Sequence, residues 1–266
     1  MKCFVEFASK KYNIDFSKGL DISIPLKFNG SQPNTYNVDK ATSIEYRDGQ
    51  FIGDTRKGGP CNFETYTFTP HCNGTHTECI GHITKERISI SECLKEEIIP
   101  ATVVSVTPKK CTESYIPNIN EDDLIISKQD LQEQLKSVET CFLKALVVRT
   151  LPNNEDKKTR DYMMKKPPFF SVEAMNYIVS LGVEHLLVDT PSVDRLFDDG
   201  HLIAHNIFWE TKSKEFNFKS KNKTITEMIF VEDSIEDGKY LLNLHVPAFV
   251  ADAAPSRPIM YKLYAL

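Results

Sequence analysis

Apolar and polar positions alternate with a period of two along much of the chain, the spacing of strands with one buried face. Residues 3–7 and 11–16 alternate in this way on either side of Ala8-Ser9-Lys10 and predict an N-terminal hairpin. Residues 20–26 alternate until Pro25 and predict a strand that runs into a loop. Residues 28–42, rich in Asn, Gly, Ser and Pro, show no periodicity and predict a long loop, a kind of segment that often carries function. A β-rich run at 65–69 leads directly into Pro70. Apolar runs at 101–106, 143–150 and 185–189 predict buried strands, and 226–231, 240–246 and 260–266 predict the last ones.

Helical spacing is rarer. Residues 89–97 predict a short helix. Ser127 with Asp130 resembles a capping box, and Leu131, Leu135 and Val138 share a face, so a helix is expected to about Val138. Ser171 caps a helix through Ser180, with Val172, Met175, Ile178 and Val179 inward and Gly182 as its stop. The charged stretch 155–166 reads as a solvated excursion, a lid being the alternative. Lys212 to Lys223, rich in lysine, reads as an exposed insertion. Strand, helix and strand in succession point to a βαβ-like unit in a mixed sheet, and few helices favour α/β or α+β over a bundle. No linker is long enough to demand a second domain, so one domain is expected over residues 1–266.

Composition narrows the class. The 266 residues suffice for a buried core, and 41% hydrophobic with 26% charged residues is ordinary for a soluble globular chain. A net charge of -5 argues against nucleic acid or an anionic membrane as the main partner and leaves a small molecule as the expected one. No apolar run approaches the ~20 residues of a transmembrane span, and Glu6 interrupts the place where a signal peptide needs its apolar stretch, so a cytoplasmic location is expected. Seven cysteines without regular spacing fit free thiols.

The chemistry concentrates in His71-Cys72-Asn73-Gly74-Thr75-His76-Thr77-Glu78-Cys79-Ile80-Gly81-His82, just past the 65–69 run. His76 and Glu78 are two apart, so an extended backbone points both side chains to one face. Imidazoles and a carboxylate converging on a point suit a divalent metal. A polar turn with hydrogen-bonded histidines is the plainer alternative. Cys72 or Cys79 beside His76 or His82 also permits a thiol enzyme, since a neighbouring imidazole lowers a thiol's pKa.

This segment resembles the His-x-Gly-Thr-His-x-Asp-x-Pro-x-His motif of the metal-dependent cyclase family, which includes bacterial-type kynurenine formamidase and isatin hydrolase. Gly74-Thr75-His76, Glu78 and His82 fall in register. Glu78 stands where the family has Asp, Ile80 replaces its proline, and its first His falls on Cys72, so either the adjacent His71 or the Cys72 thiolate takes that place. Leu20 to Leu26 resembles the family's opening Asp-Leu-Ser-x-Pro-Leu strand, and Asp189 to Asp194 its Asp-x-x-Ser-Val-Asp segment. Ala204-His205 resembles its Ala-His helix, with His201 four residues earlier as a possible second ligand or partner. Ile229-Phe230-Val231-Glu232 resembles its Ile-x-x-Glu-Asn run, with Glu227 as the competing carboxylate, and Pro255-Ser256-Arg257 its Pro-x-Arg, leaving Arg257 as a salt-bridge candidate. The motifs span about residues 20–261, with 1–19 as an added hairpin.

The resemblance implies a swivelling β/β/α architecture with a mixed central sheet, assembled as a homo-oligomer, dimer or tetramer. It implies metal ligands at His71, His76, Glu78, His205 and Glu232, holding zinc or else manganese, and His82 as the general acid/base. The implied reaction is hydrolysis of an N-formyl aryl amide, as in an arylformamidase, or of a cyclic amide. Tyr66, Phe68, Phe208 and Trp209 are candidates to stack on an aryl substrate. The three departures from the motif also motivate a second reading, a family member that has lost catalysis and binds a ligand.

Overall fold

Four buried strands, three of them apolar runs, form the parallel centre of a nine-stranded mixed sheet in the computed structural model, which describes residues 2–266. They are Ile98–Val106, Ala145–Thr150, His185–Val188 and Thr224–Glu227, neighbours in that order. Runs without alternation suit strands covered on both faces. Val104, Val106, Leu146, Val148, Leu186 and Val188 pack on one side against Leu131, Ala174, Met175 and Ile178, which belong to the helices Lys128–Leu135 and Val172–Ser180. Ala101, Val103, Ala145, Val147 and Leu187 face the other side and meet Ile22, Ile229, Tyr240, Leu242 and Met260.

The second side is covered by the sheet itself. Beyond Ile98–Val106 lie the antiparallel strands Gly238–Asn243, Ile259–Lys262 and Leu20–Asp21. Past Leu20–Asp21 the chain bridges Ser23 to Ile229, and Phe230 N donates to Ile22 O at 2.8 Å, so the far edge returns to the chain leaving Thr224–Glu227. The sheet is therefore a curled half-barrel. At its other edge His76–Cys79 pairs antiparallel with Thr224–Glu227, and Ala253–Pro255 pairs antiparallel with His76–Cys79 as the outermost strand. The N-terminal hairpin forms as expected, Lys2–Phe7 with Lys10–Asp15, and Tyr264–Ala265 adds a third strand to it.

Several expected elements are shorter or displaced. The 20–26 strand is paired only at Leu20–Asp21 and at Ser23. The last parallel strand is Thr224–Glu227 rather than 226–231, because Met228 has φ +53° and turns the chain out of the ladder. The 89–97 helix is one turn, Ile90–Cys93, and the residues after it lead into a strand that begins at Ile98. The 260–266 strand divides into Ile259–Lys262 and Tyr264–Ala265, which belong to different sheets.

The largest correction concerns 155–166, expected in solvent. Lys157 is buried, with Nζ 2.8 Å from Asp189 Oδ2, 2.6 Å from Thr150 O and 3.0 Å from Thr150 Oγ1. Three acceptors, one of them a carboxylate, make a buried ammonium tolerable, and a sequence pattern shows the charge without its partners. Tyr162 is buried too, and Asn34 bridges Asp161, so this segment carries the 28–42 loop. Among the described residues no helix is long and apolar enough to cross a membrane.

His185, buried in the central sheet with Nδ1 2.9 Å from Thr224 Oγ1, is pushed down from 6.5 to about 4, first by burial. Its folded pKa lies below its unfolded one, so the unfolded chain binds the extra proton between these values. The contribution of this group is complete above pH 6.5 and is lost as pH falls toward about 4. Urea unfolding across that range is expected to fall more steeply for the wild type than for His185→Gln, and equal slopes would remove the assignment.

Candidate metal centre

The register of one strand pair assembles the first half of the site. His76–Cys79 lies between Thr224–Glu227 and Ala253–Pro255, with Glu227 opposite His76 and Ala253 opposite Glu78. Alternation puts His76, Glu78 and Glu227 on one face, while Thr77 Oγ1 and Thr226 Oγ1 meet at 2.8 Å on the other. The sequence places the ligands just past a strand end, whereas here two of them are on the strand itself. His76 Nδ1 lies 3.0 Å from Gly74 O, which fixes the N–H there and leaves the Nε2 lone pair free, 3.4 Å from Glu227 Oε2. At Gly74 the chain leaves the one-turn helix Pro70–Asn73 in extended backbone and enters the strand.

That helix delivers His71, whose Nε2 is 3.6 Å from Glu78 Oε2 and 3.1 Å from Asp252 Oδ2 without the alignment of a hydrogen bond to either. Cys72 lines the same cleft but joins none of the clusters of ligating atoms, and its thiol is pushed up to about 11 by burial and by Glu227. Cys79 points to the opposite side, among Ile90, Cys93 and Ala254, where its Sγ lies 3.4 Å from Ile88 O. Neither thiol has the lowered pKa a nucleophile requires, since both are raised.

Asp194 assembles the second half. The chain after His185–Val188 carries this carboxylate into the interior, where it accepts from Tyr115 Oη at 2.6 Å, Ala204 N at 2.6 Å and His205 N at 3.1 Å, and also binds His205 Nδ1. It thereby anchors the start of the helix Ile203–Phe208 and sets the tautomer of His205. His205 Nε2 then faces Glu78 Oε1 at 2.9 Å and Glu227 Oε1 at 3.7 Å. Burial alone would lower the pKa of His205, but Glu78 and Asp194 on its two sides outweigh it and raise it well above the ordinary value. Burial likewise pushes Glu78 up, and the imidazoles of His82, His205 and His71 outweigh it and hold the carboxyl well below the usual range.

His82 stacks on His71, ring centroids 4.5 Å apart, with Nδ1 3.3 Å from Asp252 Oδ2 and Nε2 3.7 Å from Glu78 Oε2. His71 and His82 hold Asp252 well below the usual carboxylate range. Three overlapping groups can therefore ligate a cation: His71, His82 and Asp252; Glu78, His82 and His205; His76, Glu78 and Glu227. Among the described residues, His71 Nε2, His76 Nε2 and Glu78 Oε2 are buried polar atoms without a hydrogen-bond partner. His71 Nε2 lies 3.6 Å from Glu78 Oε2, His82 Nε2 3.7 Å from the same oxygen and His76 Nε2 3.4 Å from Glu227 Oε2, separations that match those of atoms sharing a metal bound at about 2.1 Å. The residues fit a divalent ion with nitrogen and oxygen ligands.

Glu232 does not reach this cluster. It lies past the Met228 turn, its carboxylate paired with Lys158 Nζ at 2.8 Å, and Glu227 stands beside His76 where the resemblance implies Glu232. His201 is exposed ahead of the helix, and Arg257 pairs with Asp21 at 2.7 Å. The expected stacking aromatics are elsewhere: Phe208 and Trp209 are core, Tyr66 is on the surface and Phe68 lines a different pocket. The ligand atoms instead floor a cavity of about 610 Å³ whose rim includes Tyr36 and Phe197. Asp252 carried no signal in the sequence, being one acid in an otherwise apolar run, and neither did Tyr36.

Solved structures share this arrangement of strands. An isatin hydrolase bound to the product analogue thioisatinate superposes with TM-score 0.64 at 14% identity, covering 92% of each chain. Isatin hydrolase A from Labrenzia aggregata gives 0.60 at 13% identity, over 92% of this chain and 93% of that one. A protein from Bacillus stearothermophilus described as a predicted metal-dependent hydrolase gives 0.59 at 15%, over 92% and 98%. Comparison with curated proteins finds no match. The model of the putative cyclase family matches residues 20–195, about two thirds of the chain and the part that carries the strand of His76 and Glu78, and the chain belongs to that family.

Proposed function

We propose that the protein is a metal-dependent hydrolase of an amide bond, acting on an N-formyl aryl amide or a cyclic amide. The observation that carries this reading is the convergence of buried, unpartnered imidazole and carboxylate atoms on the floor of a cleft, with a further His held beside them by an aspartate. The names of the isatin hydrolase neighbours support the cyclic amide as one substrate form.

His71, His76, Glu78, His205 and Glu227 would hold one or two ions, Glu78 being shared, and the donor set admits zinc or manganese. Such ions supply an activated water and a polarised carbonyl, which is what an unreactive amide lacks. Asp252 fixes the Nδ1 side of His82 and turns its Nε2 toward the cleft. From there His82 can take a proton as water adds to the carbonyl carbon and pass it to the nitrogen as the C–N bond breaks. Asp194 keeps His205 oriented without touching substrate.

Elemental analysis is expected to find zinc or manganese in the wild type and in Glu232→Ala, and to find it lost in His76→Ala and Glu227→Ala. Retention in both of the latter would displace the centre. Asp194→Asn is expected to weaken metal affinity by about 10- to 100-fold. With formanilide as substrate, His82→Gln is expected to lower kcat by about 10²- to 10⁴-fold with metal retained. An unaltered kcat would remove His82 from proton transfer, and a metal-loaded wild type that hydrolyses no N-formyl or cyclic amide would leave the ligand-binding reading.

A further inference from the structure

The rim of the cleft differs in character from its floor. Tyr36 and Phe197 stand there edge to face, centroids 6.4 Å apart and planes at 84°, both exposed, with Leu196 and Leu202 completing an apolar wall. Two exposed rings at the mouth of a charged cleft have faces available to a third ring.

Each ring is held out by unusual backbone. Tyr36 and Asn37 have φ +55° and +53°, consecutive left-handed residues without a glycine. Asn34 fixes that turn, its Nδ2 donating to Val38 O at 3.0 Å while its backbone exchanges hydrogen bonds with Arg160 O and Tyr162 N. On the other side Asp198 accepts from Gly200 N at 3.0 Å and from Leu202 N, and Asp199 has φ +56°.

The charges at this rim have one sign. Asp199 is exposed there with Asp198 buried beside it, and among the described residues no Lys or Arg lines the cavity. Arg195 is committed to Asp123 at 3.0 Å, and Arg87, 3.9 Å from Asp252 Oδ1, does not line it. A substrate carrying its own carboxylate would bring that charge to a rim with an exposed acid and, among the described residues, no Lys or Arg to receive it.

We propose that Tyr36 and Phe197 form an aromatic edge on which the ring of an uncharged aryl amide packs at the mouth of the cleft, and that the exposed Asp199 discriminates against carboxylate-bearing analogues. This deepens the hydrolase reading and rests on its site, but it is tested by binding as well as by turnover. The probes are acetanilide and N-acetylanthranilate, which differ by one carboxylate, titrated into the metal-loaded protein and followed by calorimetry or ligand-observed NMR.

The wild type is expected to bind acetanilide at least about five-fold more tightly than N-acetylanthranilate, the gap shrinking with salt. Tyr36→Ala and Phe197→Ala are each expected to weaken acetanilide by about three- to ten-fold, while Tyr36→Phe, which keeps the ring, retains it. Asp199→Asn is expected to narrow the gap by about two- to five-fold and leave acetanilide unchanged. Equal or tighter binding of N-acetylanthranilate, or acetanilide binding indifferent to both alanine variants, would overturn the proposal. Failure of acetanilide to bind at all would do so too. Selective binding of acetanilide without turnover of any N-formyl or cyclic amide would instead sink the hydrolase reading and leave the aromatic rim standing.

Discussion

The site depends on the antiparallel pairing of His76–Cys79 with Thr224–Glu227. A slip of one residue would turn His76 and Glu78 to the face where Thr77 meets Thr226, and would set a different residue opposite Glu227. The register is therefore held from outside as well as inside. Thr77 and Thr226 hydrogen-bond on the far face, Cys79 N donates to Asp252 O at 3.0 Å, and Ser256 N donates to Thr75 O at 3.1 Å. These contacts tie the ligand-bearing strand to both neighbours. They also bring Asp252 beside Glu78, so the pairing that orders the ligands supplies the partner of His82.

Asp194 is the second constraint, and it links fold to chemistry through charge. A buried carboxylate is costly unless its lone pairs are used, and here Tyr115, two backbone N–H groups and an imidazole use them. The same four bonds start a helix, tie down the chain after His185–Val188 and orient His205. The parallel strands beneath it are covered on both sides, so the scaffold under these groups is the most rigid part of the sheet. The rim is made of loops instead. Tyr36 comes from the 28–42 segment, which is carried by the buried Lys157 stretch, and Phe197 from the turn held by Asp198.

What the sequence made legible follows from this division. The buried strands 145–150 and 185–188 and the helix capped by Ser171 are local patterns, and they appear where periodicity and capping put them. The cluster from His71 to His82 was visible because its ligands lie within one short segment. Glu227 and Glu232 could not be ranked that way, since the choice turns on one left-handed residue, Met228, that ends the strand between them. Lys157 shows the same limit from the other side, because a charge run reads as surface until Asp189 and Thr150 are seen around it. Asp252 and Tyr36 join the cleft only through tertiary contacts, and no spacing in the chain announces either.

The departures from the family motif bear on whether the chemistry survives, and they are coupled in space. A ligand moved from position 72 to His71 starts one residue further from the strand, and the one-turn helix Pro70–Asn73 turns it back toward the cleft. A carboxylate one methylene longer than Asp reaches out from the strand toward it, and Glu78 Oε2 and His71 Nε2 lie 3.6 Å apart, with Asp252 Oδ2 3.1 Å from His71 and His82 Nε2 3.7 Å from Glu78. Glu78 Oε1 meanwhile stays within 2.9 Å of His205 Nε2. Orphaned buried donors and acceptors cost stability, and the candidate groups on this floor form a set that one bound cation would satisfy.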